Sequence, residues 1–418
     1  MSDVDHADRA RSILGHSRWW QLAAAAVMMA LVSPYQYVWS SIEGPLASTL
    51  DASLASLGLV FTAYVVIMTV TQFPAGWYRD RFGPRRLAVL AGLLAGGGYI
   101  GVALSTQFWQ LFVAYSVGSV GVGIIYTVAV NTALKWFPDR PGLTTGIGTM
   151  AFGGGAALFI PFIRAYDSPE HLPMVLLVLG IIILIGILIG SVILRDPPDR
   201  WQRDTSTTDG GIYETSINEY HWREMIRTWQ FWVLYLMFVS VSAAGLMITA
   251  RIVLFTEHLA FAAVVATIAA TTLPIASGLG RLLVGWISDR FRREYVMGGS
   301  FLACGIGTLA IVGFGLTGMT IGYILAVLIA VFFWSSQFSL FPSLVGEYYG
   351  ISMSSANYAL VYSGKLWGGV FGGAIVGWLV ISTSWEVTFI IGGLLAVVAG
   401  LLGFMLRPPS GSGKDMRS

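Results

Sequence analysis

The chain has 418 residues, of which 56% are hydrophobic and only 11% are charged, and its formal net charge is +2. A soluble protein of this length carries about a quarter charged residues, so the composition excludes most soluble folds and indicates a surface that faces lipid. The single cysteine, Cys304, excludes an internal disulfide and a cysteine-based metal site.

Polar breaks divide the chain into twelve apolar stretches. Each is roughly 20 to 27 residues long, which is the length that an α-helix needs to cross a ~30 Å hydrocarbon layer. The stretches lack the alternation of a membrane β-barrel, so we predict an all-α membrane protein with twelve transmembrane helices. They cover residues 19–41, 52–77, 86–105, 108–134, 142–165, 172–194, 229–256, 261–287, 295–315, 319–345, 355–380 and 385–406.

The cations are distributed unevenly between the two ends of these stretches. If the N-terminus is cytoplasmic, 20 of the 24 Lys and Arg lie on that side, and only Arg164 and Arg251 lie near the opposite face. By the positive-inside rule we predict that both termini are cytoplasmic and that the protein lies in the cell membrane. The first stretch is too long for a cleavable signal peptide, so we expect it to be retained.

The longest polar interruption separates the first six stretches from the last six. We therefore predict a cytoplasmic tail, a six-helix bundle, a cytoplasmic central loop, a second six-helix bundle and a cytoplasmic tail. Their predicted limits are 1–18, 19–194, 195–228, 229–406 and 407–418.

One loop sequence occurs in both halves. Residues 76–86 read GWYRDRFGPRR, and residues 285–293 read GWISDRFRR. Small residues such as glycine let neighbouring helices approach closely. A single copy is equally well read as a generic basic loop, but two copies in register favour a cytoplasmic latch. The candidate latch residues are Asp80, Arg81, Asp289 and Arg290.

The loop resembles the G-x-x-x-D-R-x-G-x-R-R signature of the major facilitator superfamily. The first copy matches throughout, and in the second copy Arg292 replaces the second glycine. The resemblance covers residues 19–406 and implies two pseudo-symmetric six-helix bundles. In carriers built from internal repeats, the substrate site lies at the repeat interface near mid-membrane.

Two cations lie inside the predicted spans. Arg281 comes eight residues before Asp289, about 12 Å deeper in a helix, and Lys365 lies about ten residues into its span. A charge at mid-membrane costs at least about 2.5 kcal/mol, which points to a function. All 22 Asp and Glu fall in loops, tails or span ends, so an anionic substrate is favoured over a structural ion pair. Two fixed cations suit a small dicarboxylate.

Polar and aromatic residues follow the same spans, and among them Gln36 and Gln337 need hydrogen-bond partners in lipid. The context of both cations resembles the oxalate:formate antiporter family: Arg-x-x-x-Gly-x-x-Ser-Asp begins at Arg281, and Asn357-Tyr358 precedes Lys365. The resemblance implies exchange of divalent oxalate for monovalent formate within an aromatic cage. The substrate-binding residues that it implies are Gln36, Tyr37, Tyr126, Phe152, Arg281, Trp334, Phe338, Tyr362 and Lys365.

Three positions depart from the family pattern. Phe152 and Phe338 stand where the family has tyrosines, and Tyr362 stands where it has a tryptophan. Each lost hydroxyl removes a potential hydrogen bond to a carboxylate. Oxalate is therefore the leading substrate, and a related small carboxylate is the alternative.

Antiport by alternating access is the favoured mechanism. The first alternative is a proton-coupled monocarboxylate symporter, although carriers of that kind place an aspartate where this chain has Ser277, so that Lys365 would have to titrate instead. The second is a sensor that binds a carboxylate without moving it. The five histidines do not cluster, so we expect no enzyme activity, cofactor or metal. The expected partners are small carboxylate anions and membrane lipid, not nucleic acid, and we expect a monomer.

Overall fold

A computed structural model of the chain describes residues 10–137, 141–166, 168, 170–198, 220–288, 290–350 and 354–409. These residues form α-helices, one 3₁₀ turn and one π turn, with no strand among them. In the first half the helices are α1 (Trp19–Val32), α2 (Pro34–Tyr37), α3 (Trp39–Leu50), α4 (Leu54–Phe82), α5 (Arg85–Ala103), α6 (Phe108–Trp136), α7 (Pro141–Gly154), α8 (Ile160–Ala165) and α9 (Leu172–Ile193).

The second half of the chain is helical as well. Its helices are α10 (Trp222–Met225), α11 (Trp229–His258), α12 (Ala263–Ser288), α13 (Arg293–Leu316), α14 (Thr320–Ser335), α15 (Gln337–Tyr349), α16 (Ser354–Tyr362), α17 (Gly364–Val370), α18 (Val376–Ser382) and α19 (Trp385–Met405). The π turn, Phe371–Ile375, joins α17 to α18.

Eleven helices within the described ranges are long and apolar enough to cross a membrane. A twelfth span results if Trp19–Tyr37 and Trp39–Leu50, which meet at a bend of 48°, cross together. The prediction of an all-α membrane protein with twelve spans is confirmed in this form.

Several spans contain breaks that average hydropathy does not reveal. The first span continues beyond the predicted limit at residue 41. It is interrupted at Ser33, just before Pro34, which cannot donate a backbone hydrogen bond, and it bends between Tyr37 and Trp39. The predicted span 142–165 is interrupted after Gly154 by the 3₁₀ turn Gly155–Leu158. The successive glycines there have no side chains to favour a regular helix.

The chain forms two compact units. Unit 1 takes in residues 1–38, 48–50 and 67–212, and unit 2 takes in residues 39–47, 51–66 and 213–418. The predicted bundles at 19–194 and 229–406 stay a prediction, and residues 199–219 of the central loop lie outside the described residues.

Unit 1 is built around α1, α5, α6 and α9. Helix α5 packs on α6 and α9, and α1 packs on α6, α7 and α9. Tyr35 is fully buried at this core. Its hydroxyl donates to the carbonyl of Ala95 (2.6 Å), and its own carbonyl accepts from the Tyr115 hydroxyl (2.6 Å). These bonds satisfy polar groups that lipid could not.

Unit 2 is built around α11, α12, α13, α14 and α19. Helix α13 packs on α14 and α19, while α11 packs on α17 and α19. Its core contains an ion pair between Arg251 of α11 and Glu43 of α3, both almost fully buried. Arg251 also donates to the carbonyls of Leu54 (3.1 Å) and Gly373 (3.2 Å). Glu43 therefore lies buried inside a helix, although its position in the sequence suggested a span end.

Candidate functional site

Arg281 lies in the last third of α12 and is only 4% exposed. Small residues surround it in the sequence, and Gly280 lets α12 approach the backbone of α14 at Phe332. The backbone carbonyl of Arg281 accepts a hydrogen bond from the Ser339 hydroxyl (2.7 Å). These contacts fix the depth of Arg281 and direct its guanidinium, whose carbon lies 4.5 Å from the ring centroid of Phe338.

Lys365 is the second residue of the short helix α17 and is 2% exposed. Its ammonium nitrogen lies 5.5 Å from the ring centroid of Phe338 and 5.7 Å from that of Tyr362. It also donates to the Tyr362 hydroxyl over 3.5 Å. The two buried cations therefore contact one aromatic ring, that of Phe338.

Further aromatic rings complete this cluster in unit 2. The Phe338 ring centroid lies 5.9 Å from that of Trp334 and 6.2 Å from that of Tyr362. Phe238 of α11 contacts both Phe338 (6.3 Å) and Tyr362 (5.7 Å). The structure thus brings together all five site residues that the sequence predicted in the second half of the chain. A cation over an aromatic face is attracted by the quadrupole of the ring, which favours charge in a dry environment.

Three of the predicted residues of the first half contact one another within unit 1. The ring centroid of Phe152 lies 6.3 Å from that of Tyr37 and 5.3 Å from that of Tyr126. Gln36 is fully buried beside Tyr37 in α2. Their role in substrate binding stays a prediction.

The sequence missed a polar contact made by the residue next to Phe338. Gln337, which begins α15, is fully buried, and its Oε1 accepts a hydrogen bond from the hydroxyl of Ser242 in α11 (3.0 Å). Ser242 carried no signal in the sequence, since a serine in a span is common. Its pairing with Gln337 depends on which faces of α11 and α15 meet.

The candidate latch residues are only partly described. Asp289 lies outside the described residues, as does the side chain of Asp80. Arg81 stacks over Trp77 (4.1 Å to the ring centroid), and Arg290 stacks over Trp286 (3.5 Å). The two loop copies thus repeat one cation–π contact across four residues, and the latch role stays a prediction.

A network at the end of α4 was not predicted. The buried Arg79 donates to Asp196 (2.8 Å) and to the hydroxyl of Thr132 (3.1 Å), and Lys135 also pairs with Asp196 (3.1 Å). Asp196 follows the sixth predicted span closely. An acid among otherwise basic span ends was the signal in the sequence that could have predicted this network. Within the described ranges, no three His, Cys, Asp or Glu side chains are grouped to hold a metal ion.

Comparisons with known proteins agree with this architecture. A family model described as Major Facilitator Superfamily matches residues 22–350 and 242–416. The oxalate:formate antiporter of Oxalobacter formigenes is 29% identical over 402 residues, covering 96% of this chain and 93% of that protein. A probable sulfoacetate transporter, SauU of Cupriavidus necator, is 23% identical and covers 88% of this chain and 89% of its own length.

A solved structure supports the same fold. The crystal structure of a D-xylose–proton symporter matches with a TM-score of 0.74 and covers 94% of this chain and 99% of that one. The sequence identity of 14% means that this likeness concerns the fold alone. The resemblance predicted from the repeated loop is confirmed, and the similarity to an oxalate:formate antiporter is confirmed as well. The chain belongs to the Major Facilitator Superfamily and is a multi-pass membrane transporter.

Proposed function

We propose that this transporter exchanges small carboxylates across the membrane and that its leading activity is oxalate:formate antiport. One observation carries the proposal: two buried cations, Arg281 and Lys365, contact the same ring, Phe338. The 29% identity with an oxalate:formate antiporter over 96% of the chain supports the choice of substrate.

The electrostatics of the pair favour a dianion. Two like charges that are buried against one ring repel each other strongly, because the surroundings screen them poorly. A dicarboxylate bound to both replaces this repulsion with attraction. Arg281 can hold a carboxylate in a bidentate fork, and Lys365 supplies a compact point charge.

The same electrostatics favour exchange over one-way transport. A carrier that reorients with its cations unneutralised has to hold both charges in a poorly solvated interior. Substrate on board removes that cost in each direction. Oxalate carries two negative charges and formate one. Either anion therefore balances at least part of the charge of Arg281 and Lys365 while the carrier reorients.

The orientation in the membrane belongs to the proposal. We infer that both termini are cytoplasmic and that the protein lies in the cell membrane, because 20 of the 24 Lys and Arg then lie on the cytoplasmic side. The repeated basic loops after α4 and α12 lie on that side in this arrangement.

Counterflow in proteoliposomes tests the function. Liposomes are preloaded with oxalate, formate, lactate or no anion, and uptake of labelled oxalate is measured with and without a pH gradient. We expect uptake only when oxalate or formate is inside, with little response to the pH gradient. Uptake that ignores the internal anion but follows the pH gradient would identify a proton-coupled symporter.

A further inference from the structure

The side-chain amide of Gln337 has a hydrogen-bond partner at its oxygen but, within the described ranges, none at its nitrogen. Its oxygen accepts from the Ser242 hydroxyl at 3.0 Å. Its Nε2 is buried and has no hydrogen-bond partner among the residues that the structure describes. A buried N–H group without a partner is costly, and in a membrane span lipid cannot satisfy it. Such a group indicates a missing acceptor.

The open amide belongs to the residue next to the ring that both cations contact. Gln337 directly precedes Phe338, the ring that both Arg281 and Lys365 contact. Ser242, which holds the amide oxygen, packs against Gly368, three residues after Lys365. Gln337 is therefore held on α11 where α11 packs against α17, the helix that contains Lys365.

A second buried donor lies on the same side. The indole Nε1 of Trp334 is buried and has no hydrogen-bond partner within the described ranges. Both side chains pack on α11: the Trp334 ring lies over Gly245, and Gln337 pairs with Ser242, three residues earlier in the same helix. The Trp334 ring also contacts Phe338, with 5.9 Å between centroids. Residues 334–338 thus provide two N–H donors that have no partner within the described ranges, and also the ring that both cations contact.

We propose that Gln337, oriented by Ser242, donates a hydrogen bond from Nε2 to a carboxylate oxygen of the substrate and thereby favours a dicarboxylate over a monocarboxylate. This inference rests on the proposed function. A dicarboxylate presents four oxygens, more than the two cations need, whereas formate presents two. An amide donor serves the remaining oxygens without adding a third positive charge.

Gln337→Met tests the donor directly, because methionine keeps an unbranched side chain of similar length but has no N–H. A hydrogen bond to a charged group corresponds to about a tenfold to hundredfold change in affinity. We expect the KM for oxalate to rise by that factor in counterflow, with a smaller change for formate and a Vmax within about twofold.

A matched control removes a different buried glutamine. Gln21 in α1 is fully buried, but both ends of its amide are bonded to backbone: Nε2 donates to the Ile193 carbonyl (2.8 Å), and Oε1 accepts from the Arg195 N–H (2.9 Å). We expect Gln21→Met to lower thermal stability and to leave the KM for oxalate unchanged. Equal KM changes in both variants would overturn the proposal.

Ser242 is a positioning residue, and a double-mutant cycle tests its role. We expect Ser242→Ala to raise the KM for oxalate in the Gln337 protein and to have no further effect in the Gln337→Met background. Additive effects would mean that Ser242 does not act through Gln337. If Gln337→Met fails to fold, Ser242→Ala alone still tests the inference. A raised KM for oxalate in that variant supports it, and an unchanged KM overturns it.

The two proposals fail in different ways. If the unmodified protein exchanges no carboxylate at all, the proposed function is wrong, and the inference about Gln337 falls with it. If the unmodified protein exchanges oxalate and Gln337→Met keeps the KM within twofold, only the inference about Gln337 is overturned.

Discussion

Replacing Lys365 should affect transport and protein stability in opposite ways. It is buried within its span, and its ammonium group and the Arg281 guanidinium contact the same ring, that of Phe338. Burying a charge costs free energy, so an apolar residue of similar volume in its place is often neutral or stabilising. Substrate binding, by contrast, needs the charge.

We therefore expect Lys365→Met to lose at least about 99% of oxalate counterflow, since a lost buried charge pair corresponds to several kcal/mol. We expect its melting temperature in detergent to be equal to or above that of the unmodified protein. Lys365→Arg, which keeps the charge in a bulkier form, should retain a small residual activity. Full oxalate transport by Lys365→Met would contradict the proposed function.

Phe338 is the ring that links the two cations. A cation over a ring in a dry environment gains about 1 to 2 kcal/mol, and Phe338 makes this contact twice. We expect Phe338→Leu to raise the KM for oxalate by about tenfold or more, because both cations lose their contact with an aromatic ring. Saturation curves in proteoliposomes give this value.

Phe341 supplies the matched control for that change. It is fully buried in the same helix, α15, but contacts Phe238 (4.8 Å) and Phe301 (5.9 Å) rather than a cation. Phe341→Leu should lower stability by a similar amount and leave the KM close to that of the unmodified protein. A larger KM change at Phe341 than at Phe338 would argue against a role for the ring in binding.

At the scale of helices, the pair formed by Arg251 and Glu43 joins α11 to α3. Arg251 also donates hydrogen bonds to the carbonyls of Leu54 and Gly373. One side chain therefore connects α11 to three other segments of unit 2. Gly373 lies in the π turn Phe371–Ile375, an irregularity that often occurs at functional positions.

Removing one partner of this ion pair should be costlier than removing both. We expect Glu43→Gln or Arg251→Met alone to destabilise the protein by about 3 to 5 kcal/mol, because an uncompensated charge stays buried. The double variant should be closer to the unmodified protein. Lys135→Met, at a pair whose side chains are 26% and 25% exposed, should cost less than about 1 kcal/mol. Thermal unfolding in detergent compares the four variants.

Helix packing around the site depends on Gly245. The indole of Trp334 lies directly over this glycine, so a methyl group there would meet the ring. We expect Gly245→Ala to displace Trp334 and to reduce oxalate counterflow by about tenfold or more, since overpacking a buried contact costs about 1 to 3 kcal/mol.

The control for Gly245 is Gly299 in α13, where an added methyl group meets nothing within 4 Å. Gly299→Ala should keep full transport and gain slightly in stability, because alanine favours a helix by about 1 kcal/mol over glycine. Equal transport in both alanine variants would show that Trp334 does not need its observed position.

At the scale of the whole molecule, hydropathy predicts where spans lie but not how they break or pair. The predicted span 385–406 agrees with Trp385–Met405, because both ends are marked by polar residues. The scarcity of charge also singled out Arg281 and Lys365. Average hydropathy could not reveal the bend between Tyr37 and Trp39, where the helix axis changes inside an apolar run.

Contacts between distant helices were the least predictable. Glu43 and Arg251 are 208 residues apart, and Ser242 and Gln337 are 95 residues apart. Which helix faces meet depends on the packing of every intervening span. Charge and polarity therefore indicated which residues need partners, and only the structure shows which partners they have.

The repeated loops allow the orientation of the protein in the membrane to be tested. Phe82 and Phe291 occupy the same position in the two loop copies, and both are exposed, at 56% and 66%. The loops before α6 and after α13 contain the exposed residues Gln107 and Thr317 and should lie on the other side of the membrane. Because Cys304 is the only cysteine of the chain, a Cys304→Ser background leaves no native thiol.

Single cysteines introduced into that background report which side each loop faces. In intact cells, a membrane-impermeant maleimide should label Gln107→Cys and Thr317→Cys but should label Phe82→Cys and Phe291→Cys only after permeabilisation. This pattern follows if the basic loops stay in the cytoplasm. The four substitutions remove no cation, so the charge asymmetry that sets the orientation is preserved. If Phe82→Cys is labelled in intact cells, the inferred orientation is wrong, and both termini lie outside the cell.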